Sequence, residues 1–457
     1  MTNDPSRESK SIGRNIFAEN QSDFFKNKSE KKSQSQDNTS KKSDASPKSI
    51  GRNIFSEVPN AQVPPARPAD IGDDLKIIEK TSKDTSLDKS SSVSVSAKKS
   101  RVNALHITKD NVVFAQTEYD GINYRLTNLQ VIPIEPPQVT EDNVFMDKKD
   151  PEQVIKEQQI DAIDKVFVRA GVAKNDPLIV TSLNGTNVIV KQLYVQNTPV
   201  ENIEKELPAI VKSPFDVMSR YEYILLNSDG MNHDILAAVS DGSTFFSVQG
   251  MLALTGVECK ILDIDKMAIV NLYNESVRPP KGTVSCVIDI GMDFSHIMII
   301  PSGNEELYIR NIDFTYSTFK KTLQRNRDIS PAETEEMIRN RNFYDYITSA
   351  FEQETTENLN QHFSVKKYVR MQLLRELQKT FQYYAQQNQN KIPSKIYITG
   401  KALEMNKFAQ FINKNTDIPC ENLDIAGFFR GDSSVLDYAK EKESVAYIAI
   451  GLALRYE

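Results

Sequence analysis

The run Val287-Ile288-Asp289-Ile290-Gly291-Met292-Asp293-Phe294-Ser295 is where residue types and spacing in this chain could most readily do chemistry. An acid at the end of an apolar strand can orient a magnesium-bound water, which makes Asp289 the candidate metal contact. Gly291 has no Cβ and lets backbone N–H groups approach a phosphate, while Ser295, near Asp293, adds a hydroxyl donor. An ordinary tight turn is the competing reading of Asp-x-Gly. Glu376 and Lys379 lie three apart in a helical run and so share a face, where a solvated charge pair is the plain alternative. Gly400 follows the apolar strand Ile396-Tyr397-Ile398-Thr399.

Other chemistries find little support. His106, His233, His296 and His362 stand alone, and Cys259, Cys286 and Cys420 have neither metal-ligand spacing nor a disulfide framework. Scattered thiols fit a reducing cytoplasm. A net charge of −6 does not suggest nucleic-acid binding. The start MTNDPSRESK has no apolar stretch after it, and there is no run of 18 apolar residues. Neither a signal peptide nor direct membrane insertion is expected, so any membrane role comes through a partner.

Residues 1–100 hold 18 Lys and Arg against 14 Asp and Glu, a balance of +4 that leaves −10 for the remainder. With four Phe, no Tyr and no Trp, they bury too little to offset ordering entropy. They are expected to form a disordered tail, with a stiff linker around Pro64, Pro65 and Pro68. Within it Lys10-Ser11-Ile12-Gly13-Arg14-Asn15-Ile16-Phe17 returns 38 residues later as Lys48-Ser49-Ile50-Gly51-Arg52-Asn53-Ile54-Phe55. Two copies are too few for a solenoid. They read as paired recognition peptides. Ile12, Ile16, Phe17, Ile50, Ile54 and Phe55 are the apolar anchors and Arg14 and Arg52 the charged contacts, with avidity from duplication. A duplication without function is the alternative.

The elements that must position the candidate residues follow from apolar periodicity. A hairpin over 102–114 turns at Lys109-Asp110-Asn111, and Val154, Ile160, Ile163, Val166 and Phe167 mark a helix over 151–170. Strands are expected at 177–181, 188–190, 221–226, 235–240 and 259–264, with helices at 201–210, 244–255 and 265–273. After Pro279-Pro280-Lys281-Gly282 a second half begins, with strands at 283–290, 296–301 and 306–312. Residues 315–390 read as mostly helical, with a charged, loose insert at 326–360 and a long helix over 364–387. A strand at 395–399 and helices at 402–413 and 444–455 follow. Two halves, each strands then helices, make a duplicated α/β architecture.

These residues resemble the actin-like ATPases and, within them, the PilM pilus-assembly family, relatives of the FtsA division proteins. The run from Val287 looks like the second phosphate loop. Arg375-Glu376-Leu377-Gln378-Lys379-Thr380 is similar to the family helix whose acid faces the ribose. Ile396 to Ala402 resembles the strand and turn that pass the adenine, and Ala449-Ile450-Gly451-Leu452-Ala453-Leu454-Arg455 resembles the PilM ending. Ser213-Pro214-Phe215 and the stretch 256–270, with Asp263 and Ala268, look like the small inserted subdomain that PilM and FtsA share. The resemblance implies an actin-like fold of duplicated RNase H-like subdomains. Its expected divisions are a tail over 1–100, a first subdomain over 101–200, a small inserted α+β subdomain and return over 201–273, and a second half over 283–457. It implies ATP and Mg2+ as ligands of Asp289, Gly291, Asp293, Ser295, Glu376, Lys379 and Gly400. It also implies a PilN-like inner-membrane protein tail as partner, beside other pilus-platform or motor components.

Three departures point to a reduced site. His106 stands at the aspartate position of the first phosphate loop and Thr108 at its glycine. Thr399-Gly400-Lys401 lacks a second glycine, and Phe314-Thr315-Tyr316 replaces paired glycines. A β-branched residue in place of Gly restricts backbone approach to phosphate. The leading expectation is a cytoplasmic scaffold of a type IV pilus platform with weak or absent ATPase, binding nucleotide without turnover or not at all, with homo-oligomerisation open. A nucleotide-switched ATPase and an FtsA-like division adaptor are the alternatives. The adaptor is disfavoured because no amphipathic helix follows Leu454-Arg455-Tyr456-Glu457. The cytoplasmic part of a type II secretion platform is a related alternative.

Overall fold

A computed structural model describes residues 100–135, 150–215, 218–303, 305–343, 345 and 365–455. Residues 1–99 of the expected disordered tail, both repeats, and residues 344 and 346–360 of the expected loose insert lie outside the described residues.

Strands β1 (Ser100–Ile107), β2 (Asn111–Tyr119) and β3 (Tyr124–Pro133) form an antiparallel meander. Alternate side chains feed two cores. Ala104, Val113 and Ala115 enter one, and Leu105, Val112 and Phe114 the other. Helix α1 (Pro151–Ala170) starts at Asp150, whose carboxylate accepts the Glu152 N–H, and stops at Gly171 in the left-handed region (φ 64°). It buries Ile163, Val166 and Phe167 against the second core. Strand β4 (Ile179–Leu183) then pairs parallel with β1.

The chain leaves this sheet to build a small lobe. Strands β5 (Val188–Val195), β6 (Arg220–Asp229) and β7 (Asn232–Ser240) form an antiparallel sheet of order β5-β7-β6. Helix α2 (Val200–Val211) seats Ile203, Leu207 and Val211 against Ile235, Ala237 and Val239. Helix α3 (Gly242–Thr255), β8 (Ile261–Ile264) and α4 (Asp265–Val277) return to the first half, β8 pairing parallel with β4.

The second half repeats the pattern. Strands β9 (Val284–Ile290), β10 (Ser295–Pro301) and β11 (Tyr308–Ile312) form a meander. Helices α5 (Tyr316–Arg327), α6 (Pro331–Asn340), α7 (Val365–Val369) and α8 (Arg375–Gln387) follow, then β12 (Lys395–Gly400), α9 (Phe408–Thr416) and β13 (Cys420–Asn422). Strand β14 (Arg430–Gly431) crosses back to pair with β3, before α10 (Ser433–Glu441) and α11 (Glu443–Ala453). The sheets read β14-β3-β2-β1-β4-β8 and β11-β10-β9-β12-β13; apart from the added edge strand β14, each runs three antiparallel strands then two parallel ones in the same order. This is the duplicated RNase H-like arrangement of an actin-like fold.

Several expectations need correction. The small lobe begins at β5, before residue 201, because β5 pairs with β7 and with no strand of the first sheet. It ends with β7, so α3 belongs to the first half. The sequence reading has no strand at Tyr124–Pro133, a stretch interrupted by a bulge opposite Gln116 and Thr117. The expected helix over 402–413 is a 3₁₀ turn (Lys401–Glu404) and then α9, broken where Lys407 takes φ 59°. The helix over 364–387 contains a π-helical segment, Arg370–Leu374. Part of the expected loose insert is the ordered α6, whose Ser330 and Glu333 cap its start reciprocally.

Helix α11 joins the halves. Its Ala446, Ile450 and Ala453 enter the core that holds Ala104, Val180 and Val287. Gly451 is required there, since a Cβ would come 2.2 Å from the Ala268 carbonyl of α4. Past its end, Arg455 grips Asp263 of β8, with Nη2 3.1 Å from Oδ1.

Candidate functional site

The β1–β2 and β9–β10 turns face each other across α11. They enclose a cavity of ≈ 40 Å³ lined by His106, Thr108, Asp110, Gly291, Lys401 and Tyr447, among others. Ligand pockets run to roughly 300–1,000 Å³, and one water needs about 10–15 Å³. The space has room for a few waters and is well below the size of an ordinary ligand pocket.

A buried ionic layer adjoins it. Asp265 opens α4 and Lys266 follows it, 4 % and 1 % exposed. Lys266 Nζ donates to the carbonyls of Gly185 (2.7 Å) and Val188 (3.2 Å) and lies 3.5 Å from Asp265 Oδ1. Asp265 Oδ2 accepts the Gly185 N–H at 3.1 Å and lies 3.7 Å from His296 Nε2. Burial pushes the Asp265 carboxyl up, but Lys266 and His296 outweigh it and hold it below the usual range.

Two titratable groups occupy matching places in the two halves. Asp289 sits near the end of β9 and His106 near the end of β1, each on the central strand of its sheet. Burial lifts Asp289 to about 6, against the pull of His296 and a hydrogen bond with Tyr447, and the Asp265 charge adds to the rise. Burial lowers His106 to about 4, against Asp265, Asp110 and a hydrogen bond with Asn184. Asp289 Oδ1, Ser295 Oγ, Thr399 Oγ1 and His106 Nδ1 are buried without a hydrogen-bond partner.

The second loop is closed upon itself. The Gly291 N–H donates to the Phe294 carbonyl (3.0 Å), and a Cβ at 291 would come 2.2 Å from that oxygen. Tyr316 and Ser317, at the start of α5, donate their N–H groups to the Gly291 and Met292 carbonyls, both at 3.0 Å. Ser317 Oγ donates to Asp293 (3.3 Å). The Gly291, Tyr316 and Ser317 N–H groups are thus engaged within the protein. Lys401 Nζ is held by Glu404 Oε1 at 2.7 Å, where Ser444 Oγ also donates at 2.6 Å. Gly400 takes φ 72° and ψ −148°, and a Cβ would sit 2.7 Å from Asp289 Oδ1, so only glycine lets β12 end against that carboxylate.

Of the expected set, Asp289, Gly291, Ser295 and Gly400 gather around the β9–β10 turn, with Asp293 beside them. Glu376 and Lys379 do not join the cavity lining. Glu376 pairs instead with Arg310 of β11 and, at 2.6 Å, with Lys379. Among the described residues no cluster of three or more His, Cys, Asp and Glu could hold a metal ion. The sequence reading missed Tyr447, Asp265, Lys266 and His296. The adjacent charges Asp265-Lys266 inside an apolar helix start were the available signal.

The model of a protein family, the type IV pilus assembly protein PilM, matches residues 105–457. The chain belongs to the PilM family. The matched span takes in both sheets, the lobe and the motif residues that meet at α11. A solved PilM-PilN type IV pilus biogenesis complex is similar at 19% identity and TM-score 0.59, covering 78% of this chain and 98% of that one, which shows the fold of PilM. EutJ of Carboxydothermus hydrogenoformans (10%, TM-score 0.40, 78% and 89% covered) and AMPPNP-bound MreB 5 of Spiroplasma citri (11%, 0.38, 77% and 94%) are more distant likenesses. No curated protein matches the chain.

Proposed function

We propose that this member of the PilM family is a scaffold of the pilus platform, in which the actin-like cleft acts as a packed joint between the halves. The small cavity carries this reading, because its walls are tied to one another and its volume admits only water. The tight Gly291 turn, the α5 start lying against it and the Tyr447 side chain on Asp289 support the same conclusion. Residues present here do not fit a magnesium nucleotide, and no catalytic step runs through one. The scaffold works at the cytoplasmic face of the inner membrane. Among the described residues no helix is long and apolar enough to cross a membrane, so attachment falls to a partner. A similar solved structure is a complex of PilM with PilN, which supports a PilN-like tail as the partner proposed for this chain.

A nucleotide-switched reading draws on one observation, the unpartnered Asp289, Ser295 and Thr399 oxygens around one turn. Calorimetric titration of the full chain with ATP and magnesium, beside Asp289→Ala, separates the two. The scaffold predicts no saturable heat from either protein. Saturable binding that Asp289→Ala abolishes would replace it with the switch. In parallel, a labelled cytoplasmic tail of a PilN-like protein should bind the chain without nucleotide; a requirement for ATP would again favour the switch.

A further inference from the structure

The small lobe exposes one edge that the rest of the described protein does not cover. Strand β6 is the outer strand of its sheet, and no strand of the described residues pairs with its outer side. Bare edges of this kind are normally blunted with charge or Pro, because they template strand addition. Here Ile224, Leu225 and Leu226 run consecutively at 50%, 40% and 50% exposure. The inner edge is regular from Arg220 to Leu225, where it pairs with β7 before the bulge at 225–227. An incoming strand therefore has six residues of regular template. The strand carries Arg220 at its start, Glu222 within the regular stretch and Asp229 at its end, a balance of −1. The Glu222 carboxyl is raised by burial and by the nearby Glu204.

The chain carries two copies of a complementary peptide. Lys-Ser-Ile-Gly-Arg-Asn-Ile-Phe has no Pro, so every backbone N–H can donate to a ladder. In extended form Ile12, Arg14 and Ile16 share one face, as do Ile50, Arg52 and Ile54. On β6, Glu222 and Ile224 share one face two residues apart. Setting the arginine opposite Glu222 brings an isoleucine opposite Ile224 in either strand direction. The first 100 residues carry +4 and the remainder −10, so long-range attraction has the right sign. From Phe55 to Ser100 there are 44 intervening residues, which span on the order of 150 Å when extended, more than the width of a globular domain.

We infer that the Lys-Ser-Ile-Gly-Arg-Asn-Ile-Phe repeats of this chain add as a fourth strand to the β6 edge of its own small lobe. The backbone ladder supplies affinity, and the Arg-to-Glu222 and Ile-to-Ile224 pairs supply register. Two copies compete for one edge, so either can leave to hold something else while the edge stays covered.

Hydrogen–deuterium exchange on the full chain tests this. The variant replaces Ile12, Ile16, Ile50 and Ile54 with Asp. Amides of β6 should exchange about tenfold faster in the variant, while β5, the opposite edge of the same sheet, is unchanged. Ile224→Asp on the wild-type chain should speed exchange in residues 48–55. Equal exchange of β6 in wild type and variant overturns the proposal. So does equal acceleration of β5 and β6, which would mean that the whole lobe loosens. Protection of β6 that fades on dilution would assign the strand to a second copy and overturn the intramolecular assignment. Protection that appears only with a PilN-like tail would give the edge to that partner.

Discussion

Each half places one titratable side chain at the corresponding point of its own sheet, and the two residues differ. Asp289 of β9 and His106 of β1 are both buried, at 2% and 4% exposure. Burial drives each toward its neutral form, raising the acid to about 6 and lowering the imidazole to about 4. At neutral pH the imidazole is uncharged and needs no counter-charge. The carboxylate is mostly ionised and leans on Tyr447 and His296. A cleft that held a magnesium nucleotide would have a bound cation to gain from an acid in both slots. With one slot neutral, the cleft holds one fewer buried charge in need of a partner.

The comparison breaks most violently at the shared layer next to both slots. Lys266→Met should cost about 4 kcal/mol in denaturant unfolding, because Asp265 is left as an uncompensated buried charge. The double variant Lys266→Met with Asp265→Asn should recover most of that loss. Gly400→Ala should cost about 3 kcal/mol, since it forces a Cβ into a glycine-only conformation against Asp289. No change at Gly400 would mean that β12 does not press on the second slot.

Acid titration sharpens the contrast further. Asp289 has a folded pKa above its unfolded value. Its contribution is complete below pH ~4 and is lost as pH rises through about 6. His106 has a folded pKa below its unfolded value, so its contribution is complete above pH ~6.5 and is lost as pH falls through about 4. The two slopes oppose one another over the same window. Asp289→Asn should raise stability by about 2 kcal/mol at pH 7, leave it unchanged near pH 4, and expose the rising His106 slope. His106→Gln should expose the falling Asp289 slope. Parallel slopes in the two variants would refute the assignment. The smallest effect belongs outside the cleft. Glu376→Gln should cost less than about 1 kcal/mol, because its partners Arg310 and Lys379 are partly solvated, and leave ATP titrations unchanged.

Much of the frame was legible because the strands of both sheets are nearly continuous apolar runs with clear turns between them. Asp289 and Gly400 could be placed in the sequence, yet their closeness depends on the parallel register that sets Thr399 beside Asp289. Glu376 was misleading for the opposite reason. An acid and a lysine three apart fix a helix face but not which way it points, and here it meets Arg310. Tyr447 was invisible because an aromatic in a closing helix looks like core. The lobe boundary was missed because the apolar run Val188-Ile189-Val190 serves equally well as the last strand of one sheet or the first of another. Pairing partners decide that, and local pattern does not carry them.

Helix α11 has a consequence for synthesis of the chain. Thr117 and Tyr124 donate to the carbonyls of Ala453 and Leu454, across 336 and 330 residues of chain. One face of the first sheet is roofed in large part by a helix made more than 300 residues after β2. Until then Ala104, Val113 and Val180 have no cover from it. The first half is therefore expected to wait, open and adhesive, until α11 emerges. A nascent chain stalled before residue 443 should be recognised by chaperones, while one stalled some forty residues beyond Arg455 by an appended linker should escape them.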